Sequence, residues 1–313
     1  MMRQDRARAL RWAMTTRRRH RAAGAVLRAA APVLPRRPPP RAPVFILGSP
    51  RSGTTMLFQL LDRSQQLASL GYGSQFLWEM FRPRRIEPGR SHAAGPDDIA
   101  AGEPRVLAWA IDRVAGDMPY LDKFPRMVLR AEYLNALYPD ARFVYIARDG
   151  RAAVSSLVTG WRTAGKFGQG TQLPAPLAIE GYTGPVWKFL LPPGWEAYTS
   201  GRTLAEVCAF QWMEGNRSVL DARARIGPER FVNVRYEDLV AAPVETTRAL
   251  LDGLGLGADP DVLDHAASLD RKVTHTAVTA PRPEKWRDEN PAEIESILEM
   301  IAPMMARLGY SHA

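Results

Sequence analysis

Val44-Phe-Ile-Leu-Gly-Ser-Pro-Arg-Ser-Gly-Thr-Thr-Met-Leu-Phe-Gln-Leu-Leu61 changes character twice along its length. Four apolar residues, Val44 to Leu47, run without interruption, the pattern of a strand buried on both faces of a parallel sheet. Gly48 ends the run, a turn rich in Ser, Pro and Gly follows, and Thr54 to Leu61 reads as a helix. A chain that turns from a buried strand into a helix N-terminus makes a place for an anion. Backbone N–H groups converge there, and the helix dipole adds positive potential. Gly48 and Gly53 have the spacing of the nucleotide-binding loop G-x-x-x-x-G-K-[ST], but Thr54 stands where the lysine belongs and Arg51 has entered the loop. A kinase places that lysine on the β- and γ-phosphates and adds Mg²⁺. A loop without it suits a ligand that has no γ-phosphate.

Outward from this stretch the same alternation continues. A helix over about 126–138 is stopped by Pro139-Asp140, and Arg142–Ala147 is a second buried strand. Asp149-Gly150 leads into a helix over about 151–158, and Thr203–Ile226 is a long helix. Arg230–Arg235 is a third strand, and helical patterns follow over about 243–254, 260–269 and 291–308. The expected fold is α/β: a P-loop-like parallel sheet flanked by helices on both faces, occupying residues 43–313. Residues 82–104, rich in Pro, Gly and charge, read as a loop. Residues 160–202 show neither helical nor strand period, yet hold eight glycines and seven aromatics from Trp161 to Tyr198, which argues for an ordered, functional excursion.

The charge is unevenly placed. Of the overall +9, residues 1–42 contribute +11 through twelve arginines against one acid, so the rest of the chain carries −2. Nucleic-acid binding is therefore not expected of the folded part. Residues 1–42 read as a basic, disordered Arg/Pro-rich tail. Weak contact with an anionic membrane surface is the partner this tail suggests. Cys208 is the single cysteine, which rules out an intramolecular disulfide and a multi-cysteine metal site and suits a reducing, cytoplasmic setting.

Pro50-Arg-Ser-Gly-Thr-Thr55 resembles the 5′-phosphosulfate loop of the sulfotransferase family. That family carries a second mark, an arginine ending a later strand with a serine eight residues on. Arg148-Asp-Gly-Arg-Ala-Ala-Val-Ser-Ser156 resembles that segment, and closest to the tyrosylprotein and bacterial branches. Asp122-Lys-Phe-Pro125, Val234-Arg-Tyr-Glu-Asp-Leu239, Glu284-Lys-Trp-Arg287 and Ile301–Tyr310 resemble further segments of the family.

The resemblance implies sulfuryl transfer from 3′-phosphoadenylyl sulfate (PAPS), a co-substrate, to a hydroxyl or amine of a small molecule, a carbohydrate or a tyrosyl residue, without a metal. It places Arg51, Ser52, Gly53, Thr54 and Thr55 on the 5′-phosphosulfate and Arg148 with Ser156 on the 3′-phosphate. Tyr236 and Lys285 would lie beside the donor. Lys123 and Arg51 would supply positive charge to the leaving phosphate. The aromatic content of residues 160–202, apart from any resemblance, reads as an acceptor-binding lid or as a structural insert packed on the core. The histidine that the cytosolic branch carries after its lysine is Phe124 here. Glu79, set among Phe76, Leu77, Trp78, Met80 and Phe81, is therefore the expected general base, with Asp122 and His92 as alternatives. Two other classes could use such a loop: a small-molecule kinase, and a nucleotide-binding protein without catalysis.

Overall fold

The computed structural model describes residues 17–71, 74–83, 86–163, 170–269 and 284–311. The apolar run Val44–Leu47 is strand β1. It lies in the middle of a parallel sheet with Ala68–Ser69 (β2), Tyr120–Asp122 (β3), Arg142–Ala147 (β4) and Phe231–Arg235 (β8), in the order β2-β3-β1-β4-β8. Alternate residues leave on opposite faces, as the pleat requires. Phe45, Phe143 and Phe231 stand in one row across three strands, with ring centroids 6.2 and 4.8 Å apart. They join a core with the helices Gln75–Glu79, Glu103–Ala115 and Ala131–Leu137. Val44, Ile46, Val144, Ile146 and Val234 fill the other face, against Thr54–Leu61, Pro243–Gly253 and Pro260–Ala266. Helices thus cover both faces, as expected.

In chain order the helices are Arg17–Ala30 (α1), Thr54–Leu61 (α2), Gln75–Glu79 (α3), Glu103–Ala115 (α4), Ala131–Leu137 (α5), Gly150–Arg162 (α6), Leu204–Ile226 (α7) and Tyr236–Ala241 (α8). They continue with Pro243–Gly253 (α9), Pro260–Ala266 (α10), Trp286–Glu289 (α11), Pro291–Glu295 (α12) and Leu298–Arg307 (α13). Thr203 begins α7 through a capping box: its hydroxyl accepts from the Glu206 N–H while Glu206 accepts from the Thr203 N–H. The helix expected over 126–138 is divided. A 3₁₀ turn, Pro125–Leu129, precedes α5, and Arg130 between them is out of helical conformation.

Residues 170–203 differ from the patternless loop expected there. Thr171–Glu180 (β5), Tyr182–Trp187 (β6) and Ser200–Thr203 (β7) form a second sheet in the order β6-β5-β7, with β5 and β6 antiparallel. Pro174 and Pro176 sit in β5, the central strand, where a residue lacking an N–H is normally excluded. They are accommodated because the register shifts between Gln172 and Leu177, a bulge that releases the intervening residues from the ladder. Beyond the bulge Leu177 and Ile179 alternate inward, against Trp161, Trp187 and Trp195.

The N-terminal stretch also differs from the tail expected for residues 1–42. From residue 17 it forms α1 and a strap that lies against α3 and α4. Arg28 donates to the Met80 carbonyl, and Arg105 donates to the carbonyls of Ala31 and Pro32 at 3.2 and 2.6 Å. Ala31 is buried, with Leu27 and Leu34 packed on the same core. Apolar residues at 27, 31 and 34 supply the face that the arginine content concealed. Among the described residues no helix is long and apolar enough to cross a membrane.

Candidate active site at the strand ends

Because the central strands are parallel, their carboxyl ends share one edge. From β1 the chain reaches β3 on one side and β4 on the other, so the crevice at this edge is the switch point where ligands bind in open α/β sheets. The loop after β1, Lys123 after β3, Arg148 after β4 and Tyr236 after β8 all emerge there. Packing shapes the loop. A Cβ at Gly48 would stand 2.8 Å from the Ile146 carbonyl, and one at Gly53 would stand 2.5 Å from Cδ2 of Tyr236. Arg51 and Gly53 both have left-handed backbone, φ 71° and 91°. For an arginine that conformation is strained, and the Ser52 N–H that follows it closes the loop on the Ser49 carbonyl at 3.1 Å. Ser49 holds the loop to α7 by donating from Oγ to the Trp212 carbonyl at 3.0 Å.

Arg51, Arg148, Ser156 and Tyr236 meet beside this loop. Arg51 donates from Nε to Oγ of Ser156 at 3.0 Å, and Arg148 donates from Nη1 to the Arg51 carbonyl at 2.8 Å. The Arg148 guanidinium lies 4.2 Å above the Tyr236 ring. Burial, reinforced by the Arg148 charge, lowers the Arg51 guanidinium to about 10. Two desolvated like charges side by side are what an anion site requires and what a structural core avoids. Two buried polar atoms here lack a hydrogen-bond partner among the described residues, Nε of Arg148 and Oγ of Ser52. Both would be satisfied by phosphate oxygens, so the residues fit a phosphorylated ligand.

Lys123 reaches the loop from the other side, donating from Nζ to Oγ1 of Thr55 at 3.1 Å. Burial lowers its ammonium to about 8, with the Asp122 charge opposing. Asp122 itself is buried. It accepts from Ser74 Oγ at 2.6 Å, Trp78 Nε1 and Tyr120 OH at 2.8 Å, and the Lys123 N–H at 2.7 Å. Burial pushes its carboxyl above the ordinary range. Its oxygens are committed to four donors, which suits an anchor for Lys123 better than a base.

Glu79 is half-buried at the end of α3, and the apolar residues flanking it in sequence are not its partners. Its carboxylate pairs with Arg126 and, at 2.6 Å, with Arg130. Arg130 also donates to the His92 carbonyl at 2.8 Å, and Arg126 lies 3.5 Å from Thr171 Oγ1 at the start of β5. His92 is buried. Its Nδ1 accepts from the Leu191 N–H at 3.0 Å, which leaves the proton on Nε2, 2.8 Å from Thr171 Oγ1. Burial, with Arg126 and Arg130 nearby, holds the imidazole well below its ordinary value. Both ring nitrogens are engaged, so His92 ties the loop before α4 to β5 and to the segment after β6.

Lys285 pairs with Glu289 four residues on, at 3.0 Å, on α11, which packs against α6. Residues 270–283 before it lie outside the described residues. Arg126, Arg130, Trp212 and Glu237 are the neighbours of the site that the sequence did not single out.

Comparison with known proteins gives the family. The model of the Sulfotransferase family matches residues 43–175 and 191–260. Protein-tyrosine sulfotransferase 2 of Gallus gallus is 25% identical over 289 residues, spanning 85% of this chain and 69% of the chicken protein. Protein-tyrosine sulfotransferase A of Caenorhabditis elegans is 23% identical over 294 residues, spanning 85% and 67%. Among solved structures, sulfotransferase STF9 of Mycobacterium avium superposes with a TM-score of 0.52 at 17% identity, over 94% of this chain and 83% of that one, and so shares the fold. The family match spans well over half of the residues, and the strand-end loop, arginines and lysine lie inside it: the chain belongs to the sulfotransferase family and is a sulfotransferase enzyme.

Proposed function

We propose that this chain transfers a sulfuryl group from PAPS to a hydroxyl, with a phenolic hydroxyl of the tyrosyl kind as the first acceptor class to test. The observation that carries the donor reading is the Arg51–Ser156–Arg148 cluster with its unpartnered Arg148 Nε and Ser52 Oγ. In this reading Arg148 and Ser156 hold the 3′-phosphate, and Arg51, bonded to Ser156 and to Arg148, stays with the 5′-phosphosulfate loop beside them. The N–H groups of Gly53, Thr54 and Thr55 hold the 5′-phosphate at the positive end of α2. The donor brings a sulfuryl group activated by a phosphate leaving group.

Lys123 stands against Thr55, where its ammonium offsets the negative charge that grows on the departing oxygen. Glu79 takes the acceptor's proton. An S–O bond to the acceptor forms as the S–O bond to the phosphate breaks, and the proton passes to the carboxylate. Arg126 and Arg130 orient Glu79, and Thr171 brings β5 to the same place, so the acceptor enters between the 3₁₀ turn and the second sheet. The tyrosyl class is favoured by the protein-tyrosine sulfotransferases among the relatives.

The test is incubation with PAPS and a panel of tyrosyl peptides, phenols and sugars, read by mass spectrometry. A sulfate adduct on a phenol supports the proposal, and adducts confined to sugars or amines would redirect the acceptor. Nucleotide hydrolysis with ATP and Mg²⁺ but no sulfate transfer would restore the kinase alternative, which the missing loop lysine at Thr54 argues against.

A further inference from the structure

Three polar backbone groups bracket the Arg148 turn, and each is met by a side chain from a different helix. The Arg148 carbonyl accepts from Trp212 Nε1 of α7 at 3.3 Å. The Asp149 N–H donates to Oε1 of Glu237 in α8 at 3.0 Å. The Gly150 N–H points at Sδ of Met305 in α13, 3.1 Å away. Glu237 is itself held from behind, because the Tyr310 hydroxyl donates to its other oxygen, Oε2, at 2.7 Å. Burial and the Glu237 carboxylate push the Tyr310 phenol well above its ordinary range, so it stays a donor.

Tyr310 is placed by local structure. Gly309, with φ 73°, ends α13; the Tyr310 N–H then reaches back to the Met305 carbonyl and the Gly309 N–H to that of Ala306, both at 3.0 Å, a Schellman motif. Arg235 covers the ring from 4.2 Å and donates to the Gly309 carbonyl at 3.3 Å. Glu237 also follows Tyr236, the ring on which Arg148 stacks. One end of the chain therefore fixes both the backbone and the stacking surface of Arg148.

We infer that Tyr310 and Glu237 are positioning residues for the 3′-phosphate: they lock the β4–α6 turn so that Arg148 is aimed before the donor arrives. This rests on the reading of Arg148 as a 3′-phosphate ligand. Neither side chain need touch the nucleotide. Their removal acts through one arginine, and so on one phosphate of the two.

The test uses the full chain and titration calorimetry with adenosine 3′,5′-bisphosphate and with ADP, which lacks the 3′-phosphate. Tyr310→Phe and Glu237→Gln should each weaken the bisphosphate roughly three- to tenfold and leave ADP binding unchanged. In the Arg148→Ala background the same substitutions should have no further effect on either nucleotide. Equal losses for both nucleotides, or no loss for the bisphosphate, would overturn the inference, and so would an undiminished effect of Tyr310→Phe without Arg148. If Arg148→Ala itself leaves the preference for the bisphosphate intact, the donor-site reading fails. If that control behaves as expected and Tyr310→Phe and Glu237→Gln do not, only the positioning role fails. Should Tyr310→Phe not fold, Glu237→Gln alone decides the matter by the same ratio.

Discussion

Arg148 donates to the backbone carbonyl of Arg51 at 2.8 Å, so two arginines from separate strand ends hold their charges together. Burial is the main cause of the lowered Arg51 guanidinium, and repulsion from Arg148 adds to it. A ligand with phosphate at that point removes the repulsion. Binding there is therefore stronger than hydrogen bonds alone would give.

The nucleotide preference follows. The protein should bind adenosine 3′,5′-bisphosphate far better than ADP, and Arg148→Ala should abolish the difference. Loss of a charge-assisted hydrogen bond costs about 1.5–3 kcal/mol, or roughly ten- to a hundredfold in affinity. Calorimetry giving equal affinities for the wild-type protein would refute the site.

Lys123 makes donor binding depend on pH. Its ammonium, lowered by burial to about 8, loses its proton as the pH rises through that value in the free enzyme. An anionic donor favours the charged form, so binding takes up a proton near pH 8, and affinity should fall by up to about tenfold per unit above it. Calorimetry in buffers of different ionisation enthalpy measures the uptake. In Lys123→Met the uptake should vanish; its persistence would assign the titration elsewhere.

Glu79→Gln should leave nucleotide affinity intact and slow turnover about a hundredfold, the low end of the usual range for a lost general base. The low end is expected because Arg126 and Arg130 already engage the carboxylate oxygens, so an acceptor must compete with them for hydrogen bonds. Single-turnover rates with a responsive acceptor are the measurement. Near-normal turnover would exclude Glu79.

Deletion of residues 1–41 should lower thermal stability, because it uncovers the core under Leu27, Ala31 and Leu34 and leaves Arg105 without its carbonyl partners. Burying a large aliphatic side chain contributes about 1.5–3 kcal/mol, so a loss on the order of 2–4 kcal/mol is expected. Ala31→Asp, placing a charge in a buried position, should reproduce much of it. Unchanged melting of both proteins would mean that the strap adds nothing to the domain.

The strand ends that gather the candidate donor residues were legible because their signals are local. Val44–Leu47 and Phe143–Ala147 are apolar runs, Phe231, Val232 and Val234 mark a third strand, and Gly48, Gly53 and Arg148 follow the first two at fixed distances. What escaped depends on contacts distant in sequence. Glu79 lies 47 and 51 residues from Arg126 and Arg130, and no periodicity links them. Strand β3 has only three residues and ends on an acid, Asp122, whose burial is made possible by Ser74, Trp78 and Tyr120. In β5 and β6 the prolines at 174, 176 and 185 conceal an inward alternation that becomes visible only from Leu177 onward.

The second sheet has a consequence for how enzymes of this kind could diversify. Its hairpin packs Trp187, with Trp195 after it, against Trp161 of α6, and the family match is interrupted between residues 175 and 191, largely within that hairpin. Thr171 links the sheet to the Arg126 and His92 side of the crevice. Such an arrangement is modular. A new hairpin could reshape what enters the crevice while the strand ends proposed to hold the nucleotide stay as they are, so exchanging residues 172–199 between relatives should transplant acceptor choice with little disturbance to donor affinity.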